Sequence, residues 1–237
     1  MRIQLDTIPV WDAIKAGGEC FLCDLKKKAE AASVKFYLGP SVMNPETRVK
    51  VNQSWFCQEH VQKLLAAGKV QGMALMSDTY LQELRDGLEK TMKGILDAKA
   101  GRKLDKAIAS YGQALEQHRP HCLICQQVEE HDIRYTYTVA YLYGHDPDFA
   151  KALKASKGFC LPHYRMLLEW SKDALDAETR KKFSTDLTEL ELENLSRLQK
   201  DVFWQTQKYK AENFDKPWNG CEDAQKRVMG AIFGRFN

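Results

Sequence analysis

Four short cysteine and histidine motifs, in a fixed order, constrain this chain more than any other feature. Cys20 and Cys23 form a CxxC, and Cys57 and His60 form a CxxH. Cys122 and Cys125 form a second CxxC, and Cys160 and His163 a second CxxH. Cys221 alone of the seven cysteines stands outside the pattern. Donors three residues apart share one face of a backbone turn, so each motif brings two donor atoms to one place. In a chain that is not secreted, such spaced pairs read as metal ligands sooner than as disulfides.

The order of motifs predicts a duplication. Asn44 follows Cys20 at the distance at which Asp146 follows Cys122. Asn44-Pro45-Glu46 then matches Asp146-Pro147-Asp148, and Phe56-Cys57 matches Phe159-Cys160 within one residue of the same offset. Leu64-Leu65 and Leu167-Leu168 stand equally far beyond their histidines. A period near 102 residues implies two similar units about a pseudo-twofold axis. The expected division is residues 1–117 and 118–237, each with its own CxxC/CxxH site, together in one compact body.

Local patterning predicts an all-α fold, a helical bundle built from the two tandem repeats. Asn44 and Asp146 are N-cap residues followed by a proline at the first helical position, where a missing N–H costs nothing. Ser77-Asp78-Thr79 reads as the start of a long amphipathic helix carrying Tyr80, Leu81, Leu84, Leu88, Met92, Ile95 and Leu96. Asp176-Ala177-Glu178 opens its counterpart, with Phe183, Leu187, Leu190, Leu195, Leu198 and Val202. Residues 133–143 alternate like a strand, with β-branched and aromatic types. Their repeat partner, 27–38, is rich in Ala and Lys, so helix is expected in both.

Each repeat supplies three cysteines and a histidine, a complete tetrahedral Cys3His set. The candidate metal ligands are therefore Cys20, Cys23, Cys57, His60, Cys122, Cys125, Cys160 and His163. A CxxC at the entry of a helix and a CxxH on its first turn place thiolates at positive helix ends. Zinc at two sites is the first reading. An iron–sulfur cluster, which cysteine also holds, is the alternative. Spacing leaves the wiring open, within each repeat or across the two; closure within each repeat is the simpler expectation. Lys26, Lys27, Lys154 and Lys157 are candidates to offset the net negative charge of three thiolates, one imidazole and a divalent ion.

The paired CxxC and FCxxH in a helical, duplicated chain resembles an uncharacterised family of bacterial proteins of unknown function. Cys20, Cys23, Phe56, Cys57, His60, Cys122, Cys125, Phe159, Cys160 and His163 carry the resemblance, which implies no activity.

Composition trims the function classes. Lys and Arg number 35 against 32 Asp and Glu, a formal +3 that is too small to suggest a nucleic-acid binder. No run is long and apolar enough for a membrane helix. The opening residues lack the charged and apolar regions of a secretory signal, so a cytoplasmic protein with a protein partner is expected. His121 beside Cys122 and His118 three residues earlier could each be a ligand or support one, but Glu19 stands at the position of His121 in the first repeat, so the plain reading is preferred; His131 and His145 read as surface or capping residues. The aromatic residues Phe36, Tyr37, Tyr135, Tyr137, Tyr141 and Tyr143 and Trp55, Trp170, Trp204 and Trp218 read as core. Cys221 reads as structural rather than nucleophilic, since no partner base is visible. No enzyme motif is present, and Glu189, Glu191 and Glu193 make no obvious catalytic pair. Three classes remain: a metal-stabilised binding or regulatory module, an iron–sulfur protein, and an enzyme with an open zinc position or a reactive Cys221.

Overall fold

In the computed structural model, which describes residues 5–234, the expected caps begin helices. Asn44 Oδ1 accepts from the Thr47 N–H at 3.0 Å and starts α3 (Pro45–Ser54). Asp146 Oδ1 accepts from Asp148 and Phe149 and starts α8 (Pro147–Lys154). Asp176 accepts from Glu178 and Thr179 and starts the 31-residue α10 (Ala177–Gln207). Each side chain satisfies N–H groups that the first helical turn leaves without partners. The segment that alternates like a strand lies inside α7 (Leu123–His145). Its β-branched and aromatic side chains pack as core instead: Tyr135, Val139, Leu142 and Tyr143 are buried. The described residues contain no strand, and the fold is all-α.

One helix start differs from expectation. The helix α5 (Val70–Leu96) begins seven residues before Ser77. Met73 and Met76 are buried, so packing extends the helix past its polar Ser-Asp-Thr segment. The Thr79 hydroxyl is absorbed by the Leu75 and Met76 carbonyls and by Asn52 Oδ1. The apolar stripe of α5 is also wider than its neighbour α6 (Arg102–Gln117) covers. Leu88 is buried, whereas Leu81, Met92 and Leu96 stay exposed.

The chain forms two compact units, one of Met1–Lys28 with Glu129–Asn237 and one of Ala29–Val128. In the first unit lie α1 (Thr7–Ala16), the start of α2 (Phe21–Tyr37), most of α7, α8, α9 (Leu161–Ala174), α10 and α11 (Ala224–Phe233). Its core holds Val10, Leu22, Val139, Phe149, Phe159, Leu167 and Phe183, each almost wholly removed from solvent. The second unit holds the rest of α2, α3, α4 (Gln58–Ala66), α5, α6 and the start of α7. There Tyr37, Val42, Val51, Phe56, Leu64, Met73, Met76, Ile124 and Val128 form the core. No helix of the described residues is long and apolar enough to cross a membrane. Residues 1–4, part of the opening segment read as lacking a secretory signal, lie outside the described residues.

The Asp146 cap also receives the Trp11 indole N–H at 3.3 Å, and Trp11 meets buried Phe149 edge-on at 5.2 Å. Asp146→Ala removes all three bonds, from the Asp148 and Phe149 N–H groups and from the Trp11 indole. It should destabilise the fold by about 1–2 kcal/mol, seen as a lower urea midpoint with an unchanged m-value.

Candidate metal centres

All eight expected ligands gather, in two groups of four, among the described residues. The wiring is not the one the simpler expectation favoured. Cys20 and Cys23 join Cys160 and His163 in the first unit, and Cys57 and His60 join Cys122 and Cys125 in the second. Each CxxC is thus completed by the CxxH of the other half of the chain. The reason lies in tertiary packing. The helices α2 and α7 both pass from one unit into the other, so the Cys pair at each helix start is in a different unit from the residues that follow its middle.

Helix starts position every donor. Cys20 and Cys122 immediately precede α2 and α7, and Cys23 and Cys125 lie on their first turns. Cys57 and Cys160 are the N-cap residues of α4 and α9, with His60 and His163 one turn in and Pro162 in the first turn of α9. Two positive helix ends therefore converge on each group, which favours thiolate over thiol.

The spacings suit one shared ion. In the first unit Cys160 Sγ lies 3.9 Å from Cys20 Sγ and 3.6 Å from Cys23 Sγ. His163 Nδ1 lies 3.4, 3.4 and 3.1 Å from the sulfurs of Cys20, Cys23 and Cys160. In the second unit Cys57 Sγ lies 3.8 Å from Cys125 Sγ. There His60 Nδ1 is 3.2, 3.2 and 3.4 Å from the sulfurs of Cys57, Cys122 and Cys125. A tetrahedron of ordinary zinc bond lengths has edges of about 3.8 Å between sulfurs and about 3.5 Å from sulfur to nitrogen.

Electrostatics also asks for a cation. Burial and the Cys160 and Cys23 sulfurs push the Cys20 thiol well up, while hydrogen bonds with Cys160 and Cys20 pull Cys23 down. In the other unit, burial and the Cys122 and Cys57 sulfurs push Cys125 up to about 12. Burial raises Cys122 too, but the Cys125 and Cys57 N–H groups outweigh it and lower that thiol. Crowded sulfurs cannot all ionise alone, whereas a divalent ion at their centre lets them.

Beyond the sulfurs, each histidine is held by a carboxylate and a lysine. His163 Nε2 lies 2.9 Å from Asp132 Oδ1, and Lys26 lies 2.7 Å from the other Asp132 oxygen. His60 Nε2 lies 2.9 Å from Glu30 Oε1, and Lys63 lies 2.7 Å from the same oxygen. With Nε2–H donating to the carboxylate, Nδ1 is the ring nitrogen that faces the sulfurs and would be the donor to a metal. Burial draws the His163 pKa down, but hydrogen bonds to Asp132, Cys160 and Cys23 raise it to about 11. A metal must displace that proton, so binding at this group releases acid. Burial likewise opposes the Asp132 carboxylate, yet His163 and Lys26 hold it below its ordinary value.

Sequence reading passed over Glu30 and Asp132, although a signal was there. Each lies ten residues beyond the first cysteine of a CxxC, Cys20 or Cys122. Of the lysines considered, Lys26 faces its group through Asp132, whereas Lys154 pairs with Asp186 and Lys157 with Glu19. His118, His121, His131 and His145 belong to neither group. Buried Cys221 also stands outside both, with its sulfur 3.8 Å from Asp201 Oδ1.

Chain geometry before each CxxH is unusual in both units. Trp55 has φ +58° and stacks on Tyr80 at 4.2 Å, and its carbonyl accepts from Leu123 at the start of α7. Such a conformation costs a bulky residue roughly 1–3 kcal/mol. Gly158, with φ +102°, stands in the corresponding place before Phe159. The Phe159 N–H donates to Glu191 at 2.9 Å and the Phe159 carbonyl accepts from Asn194 at 3.1 Å, so Glu191 is a buried support of the Cys160 loop. A pocket of about 140 Å³ opens beside this group, bordered by Glu19, Cys20, Cys23, Cys160, Arg227 and Ala231.

The family of unknown function DUF6062 matches residues 1–237, the entire chain. The chain belongs to this family. DUF6062 membership agrees with the resemblance carried by the CxxC and FCxxH motifs and brings no activity with it. Neither a curated protein nor a solved structure matches the chain.

Two outcomes follow from this geometry. A methyl group at Gly158 would meet Asn194 Cβ at 2.8 Å in a conformation that L residues rarely adopt. Gly158→Ala should therefore destabilise the fold by about 2 kcal/mol or more, read from urea unfolding. Asp132→Asn should weaken metal binding at its own group about 10–100-fold and spare the other, and Glu30→Gln should do the reverse. Competition with a chromogenic chelator measures both.

Proposed function

We propose that this protein is a zinc-binding helical module with a binding or regulatory role, each zinc pinning two helix starts together. One observation carries the reading: in both groups all four donor atoms lie within 4.8 Å of one another. That is room for a single ion. An iron–sulfur cluster spreads its ligands over separate iron atoms with sulfide between them, so its thiolates stand farther apart. The softness of three thiolates and an imidazole favours zinc among divalent ions.

Four protein donors at each group also favour a closed, structural coordination over a catalytic one, which keeps a position free. A protein partner in a reducing, cytoplasmic setting fits six ligating thiols and a nearly balanced charge. The chain reads further as two tandem repeats that exchange their Cys pairs. Matched offsets of Glu30 and Asp132 from their cysteines support this, as do the Asn44 and Asp146 caps and the positive φ of Trp55 and Gly158.

Purification without oxygen, followed by elemental analysis and a visible spectrum, tests the proposal. About two zinc per chain and no colour are expected, with loss of helix and of thermal stability on chelation. Iron with acid-labile sulfide and absorbance near roughly 400 nm would replace zinc by a cluster. A folded chain with neither metal overturns the proposal.

A further inference from the structure

The two groups share a donor set but not an environment. In the first unit Cys20, Cys23, Cys160 and His163 are 8, 7, 1 and 2% exposed. The pocket beside them reaches three of these residues yet leaves each almost covered. In the second unit His60 is buried, but Cys57 and Cys122 are half-buried and Cys125 is exposed. Cys125, the exposed residue, has its sulfur 3.8 Å from Cys57 Sγ. The two cysteines come from different parts of the chain, the start of α4 and the first turn of α7.

We propose that the second unit's group is a thiol-oxidation site, at which hydrogen peroxide joins Cys125 and Cys57 in a disulfide and frees the zinc, while the buried group keeps its own. This rests on the two-zinc reading above. Susceptibility to peroxide follows thiolate character and access. Both groups supply thiolate when a metal is bound, so access decides between them.

The chemistry balances without a further reactant. The Cys125 thiolate attacks one peroxide oxygen; an S–O bond forms as O–O breaks, and hydroxide leaves. The Cys57 thiolate then attacks the sulfenic sulfur; S–S forms, S–O breaks, and a second hydroxide leaves. Two electrons have passed from the two sulfurs to the peroxide, and solvent protonates both hydroxides to water. Cys122 and His60 remain as the protein donors, too few to retain a closed tetrahedral site. A dithiol reductant reverses the step by thiol–disulfide exchange.

The experiment uses the full chain after its zinc has been counted. Hydrogen peroxide is added in slight molar excess with a chromogenic zinc chelator, and intact-mass and peptide analysis locate any disulfide. One zinc should leave at least about tenfold faster than the other, together with a Cys57–Cys125 disulfide and intact Cys20, Cys23 and Cys160 thiols. Dithiothreitol and added zinc should restore the starting state. Release of both ions at one rate, first oxidation among Cys20, Cys23 and Cys160, a Cys122–Cys125 disulfide, or a two-zinc protein indifferent to peroxide each overturns the inference while zinc binding stands. A protein that holds no zinc at the outset sinks the underlying reading instead, and this inference with it.

Discussion

Three sulfurs and an imidazole nitrogen held within van der Waals reach of one another are the constraint on which the rest of the structure depends. Thiolates so close repel, and thiols so close waste the positive ends of the helices that present them. The split behaviour of Cys20 and Cys23, one pushed up and the other pulled down, expresses that conflict. A divalent ion at their centre would resolve it, and would couple metal binding to the packing of α2 against the CxxH turn of α9 and of α7 against that of α4.

Around each group the protein arranges a second tier with one logic. A carboxylate fixes the imidazole, and a lysine balances the carboxylate: Lys26 to Asp132 to His163, and Lys63 to Glu30 to His60. Removing a buried member of such a relay leaves a polar group without its partner, so its cost exceeds that of one surface ion pair. The relay also explains why α2 and α7 are long. Each carries cysteines at its start and, ten residues on, the carboxylate that serves the other group.

Similar donors in dissimilar surroundings separate the two groups. Phe159, held by Glu191 and Asn194 and packed on Phe21 at 5.2 Å, helps to close the first unit's group. The second unit closes its group less fully and leaves Cys125 in solvent. Trp55 holds a strained backbone there and stacks on Tyr80, where Gly158 meets the same requirement without strain in the first unit. The difference between the two groups is thus concentrated at the residues next to the candidate ligands.

Much of this was legible in the sequence. Capping by Asn44, Asp146 and Asp176 is local chemistry, satisfied within three residues, so the helix starts could be read directly. The four motifs announced eight donors because a three-residue spacing needs only one turn of backbone to bring two atoms together. The start of α5 was not legible, because burial of Met73 and Met76 overrides the polar signal at Ser77. Nor was the exchange of Cys pairs between the halves of the chain. Local spacing makes the pairs, but which pair meets which depends on where α2 and α7 end, and long-range packing alone decides that. For the same reason Glu30 and Asp132 were passed over, since only the fold brings His60 and His163 to them. The sequence by itself determined the donors and their helices; the tertiary structure decided their partners and their exposure, since both depend on contacts between residues far apart in the chain.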